Sequence, residues 1–303
     1  MKTGICFYLI LFSLVFFTGC SDLDYKKTGG GMPYKVFKSG SGRKIFNNSF
    51  LKINATITIE DSILFTTKDK IPAYLFVNPK SVPYDISEIW TSLEQGDSVV
   101  AIQMVDTFIQ RNPEKVPPNF KRGGRIVSCI KVLDIFETDS AMTADETMEN
   151  KKLMDNEVAF VTKYLEKRKI KAQKTPGGAF VEIINPGEGN LIDSGQQISV
   201  KYRGISFSGV TFDSNIDSGF GHTDPLVFIV GSGGMIKGLD EGMKYLRKGA
   251  VAKIYIPSML AYGPSPSTNK IKPFENIMFE VTITEVKDKA VEKPGIIKTV
   301  SKN

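Results

Sequence analysis

Val200-Lys201-Tyr202-Arg203-Gly204, Thr211-Phe212-Asp213-Ser214, Phe228-Ile229-Val230-Gly231, Met235-Ile236-Lys237-Gly238-Leu239-Asp240-Glu241-Gly242-Met243, Ile256-Pro257-Ser258-Met259-Leu260-Ala261-Tyr262-Gly263 and Ile277-Met278-Phe279 follow one another along the C-terminal part of the chain. Aromatic residues recur in these blocks, yet the apparatus of covalent or metal catalysis is missing. The chain has one histidine, His222, in the loop Ser218-Gly219-Phe220-Gly221-His222-Thr223-Asp224, and no Cys-x-x-Cys or Cys/His cluster. A catalytic triad and a zinc site are thereby excluded, and His222 reads as a solvated loop residue.

The order and spacing of the six blocks resemble the FK506-binding-protein (FKBP) type of peptidyl-prolyl isomerase, over a region that runs from Thr175 to Lys287. The resemblance implies an antiparallel twisted β-sheet wrapped on a short helix, with no cofactor and no metal. Carried over position by position, it implies Tyr202, Phe212, Asp213, Ile236, Tyr262 and Phe279 as catalytic residues. Leu226, Phe228, Met235, Leu239 and Ile271 would contact substrate. Tyr262 would offer its hydroxyl to one substrate carbonyl and the Ile236 backbone N–H would bind another. Asp213 would sit near the twisted carbonyl, held by neighbours such as Tyr202.

That chemistry suits a site without a nucleophile. Rotation about a peptide bond is opposed by roughly 18–20 kcal/mol, because resonance gives the C–N bond double-bond character. Water stabilises the planar, charge-separated amide, whereas an apolar pocket favours the twisted state. Each tenfold gain in rate needs only about 1.36 kcal/mol, which aromatic walls and one or two hydrogen bonds supply. Leu239 stands where the family often has tryptophan, and Leu226 replaces an aromatic on the rim. The Ser265–Lys272 loop is polar except for Ile271, so a shallow pocket is expected. The long, Gly-rich stretch from Asn215 to Asp224 suggests mobility at its rim.

Hydrophobic content of 41% and charged content of 24% are those of a globular protein, and 303 residues suffice for two domains. A net charge of +6, spread without a basic block, gives no sign of nucleic-acid binding. Lys2 precedes an apolar run from Ile5 to Phe17, the plan of a secretory signal peptide and too short to span a bilayer. The run ends in Phe17-Thr18-Gly19-Cys20, which resembles the bacterial lipobox with Cys20 as the lipidated residue. Several acyl chains on one cysteine would give a stable anchor. With Cys6 removed and Cys20 acylated, Cys129 would stand alone, so no internal disulfide is expected.

The polar stretch up to Met32, with Gly29-Gly30-Gly31, reads as a flexible tether. From Pro33 to Glu137, runs such as Leu51–Ile59, Val99–Met104 and Arg125–Val132 alternate with a period of two, as half-buried antiparallel strands do. This segment reads as a diverged copy of the C-terminal domain. Phe65 with Phe212, Gly96 with Gly249 and Ile126 with Ile277 pair at a steady offset of about 150 residues. The copy carries Ala55 for Tyr202, Thr66 for Asp213, Ile109 for Tyr262 and Ser128 for Phe279, so it is expected to be silent. Between the copies, Met154, Val158, Val161 and Leu165 form a helical stripe. That stripe suits either its own domain or a second chain, in which case the protein would be a homodimer. Pro176-Gly177-Gly178 would stop the helix.

The expected plan is α+β: a signal peptide 1–19, a lipidated tether 20–32, a diverged domain 33–137, a helical linker 138–174, an isomerase domain 175–287 and a polar tail 288–303. The expected function is isomerisation of X–Pro bonds in unfolded or exported polypeptides at the bacterial envelope, facing the periplasm or the cell surface. The alternative is an extracytoplasmic chaperone or assembly factor, on the plan of gliding-motility-associated isomerase lipoproteins.

Overall fold

The computed structural model describes residues 25–288, apart from 41, 61, 69, 112–119 and 266–269. The expected signal peptide, Cys20 and the tail from 289 lie outside the described residues. Two compact units divide within one helix, between Met142 and Thr143. Among the described residues no helix is long and apolar enough to cross a membrane.

In the first unit, β1 (Lys26–Lys27), β2 (Pro33–Phe37), β3 (Phe50–Ile59), β4 (Ser62–Thr66), β5 (Ala73–Phe76), β6 (Ser98–Met104) and β7 (Arg125–Phe136) form one antiparallel sheet in the order β1-β2-β6-β7-β3-β4, with β5 also on β3. A 3-10 segment, Ile86–Ser92, precedes β6, and a short helix α1 (Val105–Arg111) follows it. The second unit opens with most of helix α2 (Asp139–Lys167). It continues through β8 (Gln173–Lys174), β9 (Phe180–Asn185), β10 (Gln197–Ser206), β11 (Thr211–Ser214), β12 (Leu226–Ile229), helix α3 (Lys237–Met243), β13 (Val251–Ile256) and β14 (Ile277–Lys287). Its sheet runs β8-β9-β13-β14-β10-β11 with β12 also on β10, the same order strand for strand.

A shared clasp extends the duplication to side chains. The Thr28 hydroxyl and the Gly30 N–H donate to Glu88 at 2.7 and 2.6 Å, and the Thr175 hydroxyl and the Gly177 N–H donate to Glu241 at 2.8 and 2.9 Å. The flanking sequences, Lys27-Thr28-Gly29-Gly30-Gly31 and Lys174-Thr175-Pro176-Gly177-Gly178, match accordingly. The tether expectation is therefore corrected for residues 26–32. β1 pairs with Pro33 and Tyr34, and Met32 is 1% exposed, because a buried apolar residue and a ladder fix this stretch. The sheet of the second unit likewise begins at β8, before Thr175.

In β10, alternate residues turn inward, and Ile198, Val200 and Tyr202 join Ile254, Ile256, Ile277 and Ile283 in one core. Helix α3 lies close on β13 because it presents glycines. A Cβ at Gly238 would stand 2.4 Å from Ile256 Cγ2, and one at Gly242 would stand 2.9 Å from Ile254 Cδ1. The stripe of α2 is used by its own unit: Val161 and Leu165 are buried with Phe180 and Tyr255, and Val158 packs beside them. Covered within the chain, the stripe is not free for a second one, which removes the basis for the homodimer. Nor does Pro176 end the helix. Lys169 turns left-handed (φ 57°) and the Ile170 N–H returns to the Leu165 carbonyl at 3.0 Å, a cap that satisfies the last turn.

Candidate active site

Strand register sets the first two side chains. Gly204 of β10 faces Asp213 of β11 and Phe279 of β14, and Tyr202 lies two residues back on the same face. The stretch from Gly234 into α3 adds Met235, Ile236 and Leu239, and the segment after β13 adds Tyr262. Together with Leu226 at the start of β12, they enclose a cavity of about 300 Å³ lined by Tyr202, Asp213, Leu226, Gly234, Met235, Ile236, Leu239, Tyr262 and Phe279.

The walls are apolar and the polar groups few. Tyr202 and Phe279 rings lie 5.8 Å apart at 55°. Phe212 meets Phe279 at 5.6 Å and Tyr262 at 6.1 Å, edge-on in both cases, from behind the lining. Such pairs fix aromatic walls in one geometry. Gly204 makes room for this: a Cβ there would stand 2.5 Å from Phe212 Cζ. The Tyr202 hydroxyl donates to Asp213 Oδ2 at 2.6 Å, while Asp213 Oδ1 accepts from the Ser214 N–H at 2.9 Å. The Tyr262 hydroxyl and the Ile236 N–H, both at the cavity, make no hydrogen bond to another described residue.

Burial, then the hydrogen bond to Asp213, pushes the Tyr202 phenol well above its ordinary range. Burial and the nearby Asp213 charge push the Tyr262 phenol in the same direction. Both therefore remain protonated donors at neutral pH.

The sequence reading is corrected at several positions. Phe228 and Ile271 belong to the domain core and do not line the cavity, and Phe212 backs it. His222 is more than a solvated loop residue, since its Nε2 lies 3.0 Å from Asp213 Oδ1. The Asn215–Asp224 stretch is stapled: Asn215 accepts from the Tyr202 N–H at 2.7 Å and donates to the Val200 and Asp224 carbonyls at 3.0 Å each. Arg203 holds Asp217 with two bonds of 2.7 and 2.6 Å. Neither contact had a local sequence signal, because both depend on how β10 and β11 are paired.

The first unit shows what the site requires. Ile57 faces Ser128 as Gly204 faces Phe279, so Ile57 stands at the Gly204 position. A bulge then pairs Ile57 with Phe65 and Thr58 with Ile63, as Gly204 pairs with Asp213 and Ile205 with Thr211. Phe65 thus matches Asp213 and Leu64 matches Phe212, one residue away from the sequence pairing of Phe65 with Phe212. With a side chain at position 57, Leu64 and Phe65 turn outward, 39% and 45% exposed. Ile57, like Phe108, Ile109 and Phe120, packs against the buried cluster of Ile59, Val105 and Ile126 at this end of the unit. A separate hollow of about 390 Å³ in this unit, lined by Asn54, Thr56, Cys129 and Lys131 among others, carries no aromatic–carboxylate pair of this kind.

Comparison with known proteins agrees with this geometry. The profile of the FKBP-type peptidyl-prolyl cis-trans isomerase family matches residues 189–284. The FK506-binding protein of Neisseria meningitidis serogroup B is 34% identical over 110 residues, 36% of this chain and 97% of that protein. The FKBP-type peptidyl-prolyl cis-trans isomerase FkpA of Escherichia coli is 30% identical over 169 residues, 54% of this chain and 59% of that protein. The crystal structure of FkpA from Escherichia coli aligns with a TM-score of 0.38 and 25% identity, covering 50% of this chain and 69% of that one. With the family profile lying on residues 189–284 of the unit that holds the cavity and 97% of the Neisseria protein matched at 34% identity, the chain belongs to the FKBP-type peptidyl-prolyl cis-trans isomerases.

Proposed function

We propose that the cavity between Tyr202, Tyr262 and Phe279 is the isomerisation site, and that the enzyme acts on unfolded or exported polypeptides at the bacterial cell envelope. The observation that carries the site is a pair of donors without a partner among the described residues, the Tyr262 hydroxyl and the Ile236 N–H, on a largely apolar cavity. A prolyl ring seated against Tyr202, Leu239 and Phe279 loses water from the adjoining amide. Water favours the planar, charge-separated form, so its removal favours the twisted one, in which resonance is lost. The two donors take the carbonyls that flank the ring and fix the backbone in the twisted geometry. Asp213, held on one oxygen by Tyr202 and on the other by the Ser214 N–H, presents a fixed negative edge to the electron-poor carbonyl carbon of the twisted amide.

X–Pro isomerisation takes tens to hundreds of seconds without a catalyst and delays folding of exported chains. The lipobox-like Phe17-Thr18-Gly19-Cys20 supports attachment to the membrane through lipid on Cys20. The reading is tested by a protease-coupled or NMR exchange assay on an X–Pro peptide with the full chain. Acceleration by the wild type, lost on Asp213→Ala, supports it; equal rates for the two proteins would sink it.

A second role rests on the first unit. Its edge strand β4, which among the described residues pairs only with β3, exposes Ile63, Leu64 and Phe65 as an apolar row. Such a row suits holding an extended client chain while the second unit isomerises it. The isolated first unit should then slow aggregation of an unfolded protein, and Phe65→Glu should abolish that; no protection by the native unit would remove this role.

A further inference from the structure

Helix α2 lies outside residues 189–284, the span of the family match. It nonetheless delivers a buried charge to the segment that carries Tyr262. Glu157 is 8% exposed, and it faces the 3-10 turn Ser258–Leu260 that follows β13. Its Oε1 accepts from the Ser258 hydroxyl, and its Oε2 accepts from the Met259 N–H at 3.1 Å.

Ser258 is the point from which the Tyr262 segment is hung. Its side chain is fully buried, and its N–H donates to Asn276 Oδ1 at 2.8 Å, just ahead of β14. Its carbonyl accepts from the Ala261 N–H and from the Gly263 N–H, each at 2.9 Å. The residues on both sides of Tyr262 are therefore bonded to one oxygen, and the residue bearing that oxygen is gripped by Glu157 through its hydroxyl. Tyr262 in turn meets Phe212 edge-on and borders the cavity.

A carboxylate in this place is not explained by packing alone. Val161 and Leu165 already bury the helix against the sheet, and a buried carboxylate is unfavourable unless its oxygens are hydrogen-bonded. Burial pushes the Glu157 carboxyl above the usual range, so its charged form is held against a penalty. Both oxygens are spent on the turn, and an apolar residue would leave the Met259 N–H and the buried Ser258 hydroxyl without acceptors.

We propose that Glu157 is a positioning residue for Tyr262, which makes the helix preceding the isomerase domain part of its catalytic apparatus. This rests on the reading of Tyr262 as a donor to substrate. A double-mutant cycle in the full chain tests it, with kcat/KM for an X–Pro peptide measured with Tyr262 intact and again in the Tyr262→Phe background. Glu157→Ala should lower kcat/KM roughly five- to tenfold with Tyr262 present, and less than about twofold after Tyr262→Phe, because a residue acting through that hydroxyl has nothing left to place. Glu157→Gln, which keeps one acceptor, should fall between. A general loosening of the fold would give the same factor in both backgrounds, and that result, or an unchanged rate, would overturn the proposal. If Glu157→Ala does not fold at the assay temperature, Ser258→Ala runs the same cycle with only a hydroxyl removed. A wild-type chain with no activity would remove the isomerase reading along with this one, whereas an active wild type with additive losses would remove this one alone.

Discussion

Tyr202 donates its hydroxyl to Asp213 Oδ2 across 2.6 Å, between residues eleven apart on the paired strands β10 and β11. The bond orients the carboxylate at the cavity and leaves Oδ1 to the Ser214 N–H and His222. It also ties the phenol, already shifted upward by burial, more firmly to its proton.

Asp213→Ala and Tyr262→Phe should each lower kcat/KM for an X–Pro peptide, by roughly ten- to a hundredfold, since each removes positioning worth about 1.4–3 kcal/mol. Neither removes much packing, so thermal midpoints should stay near wild type. Matching peptide kinetics and melting curves for both variants and the wild type would show that these groups do not act on substrate.

Gly204→Ala places a methyl about where Phe212 Cζ lies, at 2.5 Å. Overpacking of this kind typically costs about 1–3 kcal/mol. The second unit should melt lower, and activity should drop as Phe212 loses its seat behind Tyr262 and Phe279. An unaltered melting temperature in calorimetry would contradict the crowding seen at this position.

Tyr202 and Tyr262 have phenols raised above the ordinary value of about 10. Peptide isomerisation should therefore hold level as pH rises through that value, because both hydroxyls keep their protons. Stability behaves differently. The native state retains protons that the unfolded chain releases, so this contribution is complete below about pH 10 and is lost as pH climbs towards the native values. Thermal melts between neutral and alkaline pH should fall more steeply for wild type than for Tyr202→Phe; equal slopes would refute the shift.

A fragment from Thr143 to Lys287 should keep most activity, and one from Gln173 to Lys287 should keep less, because it lacks α2 and exposes Phe180 and Tyr255. A fragment ending at Met142 should have none. Turnover by that last fragment, measured on the same peptide, would show that the first unit retains a site despite Ala55, Ile57 and Ser128.

Cys20→Ser should move the protein from the membrane fraction to the soluble one, or leave its leader uncleaved. Unchanged fractionation and processing would end the lipid-anchor proposal.

The order of the blocks from Val200 to Phe279 was enough to read the family, the α+β class and most of the cavity lining. Residue types that must converge on a proline pocket keep their order along a chain whose strands keep their order in the sheet. The duplication was legible for a related reason. Period-two alternation and recurring turn glycines survive divergence, since they satisfy the backbone and core whatever the site does.

Tertiary structure decided the rest, because it turned on registers and long-range contacts that sequence spacing does not encode. A bulge shifts one residue of β4 and β11 out of the ladder, and a one-residue slip exchanges the two faces of a strand. That is why Phe65 falls at the Asp213 position, and why only the paired strands reveal it. Phe228 and Ile271 are pocket residues by family resemblance, yet they are buried in the core and are not among the residues that line the cavity. His222 reaches Asp213 only because Asn215 folds its loop back on β10. Glu157 reads as one more charge on a polar helix. It meets Ser258, 101 residues onward, only once the helix stripe has been buried against the sheet.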